Sequence, residues 1–268
     1  MDLPESFDYE GQRVRYGVIG DGEPLVLVHG TPFSSVVWRR IAPYLAGHRR
    51  VYYYDLLGYG RSEQREGDVS LGVQNLVLGA LLDHWGLDRP DVVAHDYGGA
   101  TALRAHLLNG RDYRSLTLID PVAIGPDGSP FVQATKLHEQ AFAGLPAYIH
   151  DALLRAYIAG AVHRTLSDDE MRLYTEPWLG ERGQPAFYRQ IAQMDDRYID
   201  EVGHLYGKVR CPVTLLWGAE DEWIPLERGR ELADRIPGAN LRVVPNASHL
   251  VQEDAPEAIV ATVLEAVR

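Results

Sequence analysis

The stretch Asp91-Val92-Val93-Ala94-His95-Asp96-Tyr97-Gly98-Gly99-Ala100 sets the strongest limit on how this chain can fold. Val92 and Val93 close an apolar run that reads as a buried strand, and Thr101 to Leu108 reads as a helix. A strand that turns directly into a helix makes a tight, strained corner, and the residue at its tip is thrown out above the sheet edge. The backbone passes close to itself there, which calls for small residues such as Ala94, Gly98 and Gly99 on either side. The residue at the tip is Asp96. The plainer alternative is an ordinary strand–helix turn whose aspartate caps the helix.

The rest of the chain supplies a frame for such a corner. Residues 7–19 alternate around Gly11 and predict an opening hairpin. Leu25–Val28, Val51–Tyr54, Leu116–Ile119, Val213–Trp217 and Leu241–Val244 are short apolar runs of strand type. Between them lie helical patterns at 36–45, 70–85, 226–235 and 256–267, the last with Pro256 in its first turn. Residues 122–207 carry no strand pattern and are helical in character, with breaks at Pro146, Pro177 and Gly183. Strands alternating with helices predict an α/β fold with a mostly parallel, doubly wound sheet. The core is expected to comprise residues 1–121 and 208–268, with 122–207 inserted as a helical lid over the carboxyl ends of the strands.

Composition narrows the class. Hydrophobic residues make up 46% of 268, enough for a core without disulfides. The one cysteine, Cys211, cannot pair within the chain, and the histidines at 138, 150, 163 and 204 lack metal-ligand spacing. No metal and no cofactor is expected. A net charge of −12 argues against nucleic acid and anionic membranes as partners. No apolar run reaches membrane-spanning length, and the acidic N-terminus lacks a signal-peptide pattern, so a cytoplasmic location is expected. The Asn246-Ala247-Ser248 sequon has no meaning in such a setting.

Each reactive candidate follows a predicted strand. Asp96 follows Val93, Asp221 lies in Gly218-Ala219-Glu220-Asp221-Glu222-Trp223-Ile224-Pro225, and His249 lies in Pro245-Asn246-Ala247-Ser248-His249-Leu250. His29-Gly30 follows Val28. In a parallel sheet these ends share one edge, so the groups can converge from distant parts of the chain. Glu220 and Asp120 are alternatives to Asp221 as the acid.

The sequence resembles an α/β-hydrolase along essentially its whole length, in which the triad runs in the order nucleophile, acid, histidine. His95-Asp96-Tyr97-Gly98-Gly99 is similar to the corner of the aspartate-nucleophile branch, the epoxide hydrolases and haloalkane dehalogenases. His29-Gly30-Thr31-Pro32 resembles their oxyanion loop. The resemblance implies Asp96 as nucleophile, His249 as base, Asp221 as its orienting acid, and the backbone N–H groups of Thr31 and Tyr97 as the oxyanion hole. A carboxylate attacking a carbonyl would give an anhydride, whereas attack on a saturated carbon gives a stable ester, so displacement at carbon is implied.

Two leaving groups fit that first step. An epoxide oxygen needs an acid; Tyr188, in Phe187-Tyr188-Arg189-Gln190, resembles the ring-opening tyrosine of epoxide hydrolases, and Tyr148 is the second candidate. A halide needs N–H donors, which dehalogenases typically take from a Trp after the nucleophile or an Asn after His-Gly; here those positions hold Tyr97 and Thr31. Phe33, Trp178 and Trp223 are the expected substrate contacts. His29 and His95 are expected to be structural, with His95 pointing away from the reactive side of the corner. The expectation is a cofactor-free epoxide hydrolase, monomer or homodimer, acting on a small apolar organic substrate and water. A haloalkane dehalogenase, an ester or lactone hydrolase, and a small-molecule binding protein on the same fold are the alternatives.

Overall fold

The computed structural model describes residues 1–125 and 128–267. Eight strands form one sheet: β1 (Glu5–Tyr9), β2 (Gln12–Ile19), β3 (Pro24–Val28), β4 (Arg50–Tyr54), β5 (Asp91–His95), β6 (Ser115–Ile119), β7 (Val213–Gly218) and β8 (Asn240–Val244). Their order is β1-β2-β4-β3-β5-β6-β7-β8. β1 and β2 make the opening hairpin, β2 runs antiparallel to β4, and the remaining pairs are parallel. Every residue of β5 and β6 is buried, as expected of central strands covered on both faces.

The helices are α1 (Ala42–Leu45), α2 (Leu71–Trp85), α3 (Tyr97–Leu107), α4 (Pro130–Ala143), α5 (Ala147–Ala159), α6 (Asp168–Thr175), α7 (Gly180–Ala192), α8 (Arg197–Gly203), α9 (Leu226–Arg235), α10 (Val251–Asp254) and α11 (Pro256–Ala266). Two differ from expectation. The helix expected over 36–45 divides into a 3-10 turn, Ser35–Arg40, and the short α1. Pro43 has no N–H with which to continue an α-helical ladder through that point. Conversely, α3 starts at Tyr97 rather than Thr101, because Gly98 and Gly99 are helical residues. A Cβ on Gly98 would run into the carbonyls of Val28 and His29, so packing against β3 overrides glycine's poor helix propensity.

Parallel register brings the strand ends level. Val28 pairs with Ala94, His95 with Ile119, Ile119 with Leu216, and Gly218 with Val244. The loops after β3, β5, β7 and β8 therefore open on one edge. The order reverses between β3 and β5, the switch point where such sheets leave a crevice.

Between β6 and β7 the described residues form helices α4 to α8. This insertion is bound to the rest of the chain through Glu253 of α10, whose side chain is fully buried. Arg39 and Arg40, from the turn after β3, and Arg164 and Tyr174, from the insertion, all reach it. Arg164 also pairs with Glu170 at 2.8 Å, and Glu170 completes a capping box with Ser167 at the start of α6. A buried carboxylate shared among several cations is costly to disrupt, because the remaining charges lose their partner in a dry place. Glu253→Ala should lower unfolding stability by about 3–5 kcal/mol, read from urea denaturation midpoints at constant slope.

Candidate active site

Asp96 stands where β5 meets α3, with φ 52° and ψ −119°. A side chain in that region costs roughly 1–3 kcal/mol and persists only where the surroundings hold it. Its N–H donates to the Ile119 carbonyl at 3.0 Å, and its own carbonyl accepts from Val122 at 3.1 Å. Gly30 lies against the carboxylate, and a Cβ there would collide with it.

The two carboxylate oxygens have different surroundings. Oδ1 accepts the Thr31 N–H at 2.6 Å. The Tyr97 N–H also bonds to the carboxylate. Oδ2 lies 3.4 Å from Nε2 of His249, which sits on the loop after β8. Nδ1 of His249 bonds Asp221 Oδ2 at 2.9 Å. Asp221 is fixed in turn by the N–H groups of Trp223 and Ile224, at 2.8 and 2.9 Å on Oδ1. The residue on Nδ1 is thus Asp221, while Asp120 accepts from the Gly218 N–H at 2.9 Å.

Electrostatics follow from burial and this geometry. Burial works to raise the Asp96 carboxyl, but the hydrogen bond and charge of His249, with the Tyr97 N–H, hold it below the usual carboxylate range. Burial opposes charge on His249, yet the charge and hydrogen bond of Asp221, then those of Asp96, carry it well above the ordinary imidazole value. Asp120 is fully buried, and desolvation followed by the nearby Asp221 charge pushes its carboxyl well up.

His95 departs from expectation. It stands on the same side as His249, ring centroids 4.9 Å apart, with Nε2 on the His249 carbonyl at 3.0 Å. Burial and then His249 push its pKa down to about 3, so it is neutral and acts as a spacer under the His249 loop. His29 takes the Leu56 N–H on Nε2 at 2.8 Å, tying the Thr31 loop to the chain beyond β4.

A small cavity of about 70 Å³ opens over Asp96. Its walls are Thr31, Val122, Val132, Tyr157, Met194, Trp223 and Ile224, with Ser129 and Glu222. Among the described residues no basic side chain lines it. Trp223 belongs to the wall and lies over His249, ring centroids 5.0 Å apart. Phe33 and Trp178 do not line it. Phe33 is buried behind Trp223 and against Tyr174, and the Trp178 indole N–H is spent on the Pro32 carbonyl at 2.6 Å.

The two tyrosines singled out by sequence also lie elsewhere. Tyr148 is 74% exposed. Tyr188 is buried with its hydroxyl 2.8 Å from His150 Nδ1, and His150 Nε2 meets the Trp178 carbonyl at 2.9 Å. Tyr157 is the tyrosine in the wall, stacked on Trp223 at 4.5 Å. Nine residues of α-helix turn the chain through about two and a half turns, so Tyr148 and Tyr157 face opposite ways on α5. That phase was available in the sequence. Gln190 of α7, whose Oε1 receives the Thr31 hydroxyl at 2.6 Å and the Tyr59 hydroxyl at 3.0 Å, had no signal of its own.

Comparison with known proteins agrees with this architecture. Residues 25–262 match the model of the alpha/beta hydrolase family. The crystal structure of an alpha/beta hydrolase fold protein from Burkholderia ambifaria superposes with a TM-score of 0.97 at 60% identity, covering 99% of this chain and 98% of that one. A dihydrolipoyllysine-residue acetyltransferase component of an acetoin cleaving system from Pseudomonas putida is 29% identical over 96% of this chain and 67% of its own length. A haloalkane dehalogenase from Sphingobium indicum is 28% identical over 97% of this chain and 94% of its own. The chain belongs to the alpha/beta hydrolase family. Its relatives differ in named activity, so the chemistry has to be argued from the site.

Because two carboxylates support the His249 imidazolium, removing either destabilises it. Asp96→Asn and Asp221→Asn should each lower the pH at which His249 titrates, Asp221→Asn by more, in an NMR titration of the imidazole carbons.

Proposed function

We propose that the protein is a cofactor-free hydrolase in which Asp96 displaces a leaving group from a saturated carbon, and that the resulting ester is then hydrolysed. One observation carries this reading: the Asp96 carboxylate already occupies the N–H groups of both Thr31, on Oδ1, and Tyr97. An ester or amide substrate attacked by a hydroxyl needs those donors for its own carbonyl oxygen. Here the carboxylate fills them, and with Oδ1 anchored on Thr31 the attacking atom is Oδ2, beside His249. After alkylation, Oδ1 becomes the carbonyl oxygen of the ester, already seated where an oxyanion forms when water adds. That water is deprotonated by His249 Nε2, while Asp221 fixes the ring and stabilises the imidazolium. The donors contribute to the second step on the scale of about 3 kcal/mol each.

The helical insertion acts as a cap that excludes bulk water and presents Val132, Tyr157 and Met194 to the substrate. The mostly apolar wall, with the acids Asp96 and Glu222 and no base among the described residues, suits a small neutral substrate and disfavours carboxylates. The preferred substrate is an epoxide, with Tyr157 rather than Tyr148 or Tyr188 giving the proton to the opening oxygen. A haloalkane is the second reading, supported by the likeness to a haloalkane dehalogenase along nearly the whole chain.

A single turnover in heavy-oxygen water should place the label in the Asp96 carboxyl, read by peptide mass spectrometry. His249→Gln should stop at the ester and show an adduct by intact mass. Label found only in product, with no adduct in the variant, would instead make Asp96 a base toward water. On styrene oxide, Tyr157→Phe should slow ring opening about 100-fold or more, whereas Tyr188→Phe should leave it within a few-fold of the parent, both by rapid-quench kinetics.

A further inference from the structure

The loop that carries His249 is held by more than Asp221. The His249 carbonyl accepts from His95 Nε2 at 3.0 Å. One residue earlier, Ser248 gives its hydroxyl to the Glu220 carbonyl at 3.1 Å and its N–H to Asp254 Oδ2 at 2.9 Å. One residue later, the Leu250 N–H reaches the Ala161 carbonyl. Asp254 closes α10, and its carboxylate accepts two further N–H groups, those of His163 on Oδ2 at 2.9 Å and Arg164 on Oδ1 at 3.0 Å. Residues 161–164 lie outside helix and strand, so the His163 and Arg164 amides have no ladder of their own to join. A carboxylate gives such donors stronger bonds than a neutral acceptor does. The Arg164 side chain adds a bond to the Glu253 carbonyl at 2.9 Å. His249 is thus referred to the insertion on both sides, through Ser248 and through Leu250, and Asp254 gathers the first of these links in one side chain.

We propose that Asp254 is a positioning residue of the second half-reaction: by clamping the segment beyond α5 to the Ser248 peptide, it fixes where the His249 imidazole stands relative to Asp96. The inference rests on the Asp96 displacement argued above. Asp254 is not part of the cavity wall and touches no reacting atom; it acts through the backbone next to His249. In the first half-reaction Asp96 Oδ2 bonds to carbon, the leaving atom departs with the electron pair, and His249 moves no proton. In the second, Nε2 takes a proton from water as the water oxygen adds to the Asp96 carbonyl carbon. The adduct then breaks its bond to the product oxygen, which receives that proton from the imidazolium. Asp96 is left as the carboxyl, which sheds its proton to solvent after a halide, or to the Tyr157 phenolate after an epoxide. Placement of the ring therefore bears on the second step alone, and a misplacement of about 1 Å can cost a step on the order of 100-fold.

The test times the two half-reactions separately. With His249 in place, the ester on Asp96 is followed by rapid quench and intact mass, using 1-bromohexane and styrene oxide. Asp254→Ala should leave ester formation within about threefold of the parent and slow ester decay about 10- to 100-fold, so that the ester accumulates. Asp254→Asn keeps the shape but sets an NH2 against at least one of the three N–H donors. It should show the same split at smaller size, and it carries the test if the alanine variant does not fold. A second measurement needs no substrate. With its ring less well aligned on Asp221 and Asp96, His249 should titrate at lower pH in both variants, read by NMR of the imidazole carbons. A general loss of structure would slow both half-reactions alike. Equal slowing, an unchanged rate of ester decay, or a His249 titration identical to the parent's overturns the proposal and leaves the Asp96 reading intact. Absence of any Asp96 ester in His249→Gln on both substrates overturns both.

Discussion

Everything in the site depends on where one carboxylate sits. The Asp96 carboxylate rests on two backbone N–H groups, one from the loop after β3, on Oδ1, and one from the first residue of α3. Those donors come from different strands at the reversal point of the sheet, and only parallel pairing of β3 with β5 sets them side by side. The positive φ at Asp96 is the local cost of turning the carboxylate toward them. Fixed dipoles already aimed at an oxygen need no rearrangement when that oxygen gains charge, which is where preorganised sites gain most over water. The same contact anchors Oδ1 and leaves Oδ2 turned to Nε2 of His249.

Charge is balanced around the second contact. His249 lies between Asp96 and Asp221, each pushing it toward the imidazolium, while burial and the Asp221 charge push the Asp120 carboxyl well up. A third anion at that depth would be poorly tolerated, and the Gly218 N–H on Asp120 is satisfied without one. In the proposed cycle, esterification removes the Asp96 charge. The imidazole then loses one of its two supports and becomes easier to keep neutral at the stage when a neutral base is required.

The frame and the meeting of Asp96, Asp221 and His249 were legible because they obey short-range rules. Apolar runs of strand length mark β3, β5, β6 and β7, and a reactive residue just past each end is placed by parallel register alone. The resemblance pointed to Thr31 and Tyr97, and their N–H groups do meet the Asp96 carboxylate. What sequence could not give lies in the insertion, where side-chain direction depends on how helices dock. Tyr188 looked reactive from its neighbours, but α7 turns its hydroxyl to His150. Trp178 was an expected substrate contact, but it lies off the cavity and the Pro32 carbonyl takes its N–H. Tyr148 and Tyr157 could have been sorted by helical phase once either face was known, whereas Gln190 needs the docked structure. His95 was misjudged because the alternation of side chains along a strand does not continue through a corner as sharp as that at Asp96.

One contact between the insertion and the rest of the chain reaches further than its size suggests. The N–H of Leu250, the residue after His249, donates to the carbonyl of Ala161 just beyond α5, at 2.7 Å. A displacement of that carbonyl must either break the bond or drag the imidazole's loop with it. In the proposed cycle, moving the insertion and holding the His249 ring toward its water are therefore rival demands on a single linkage.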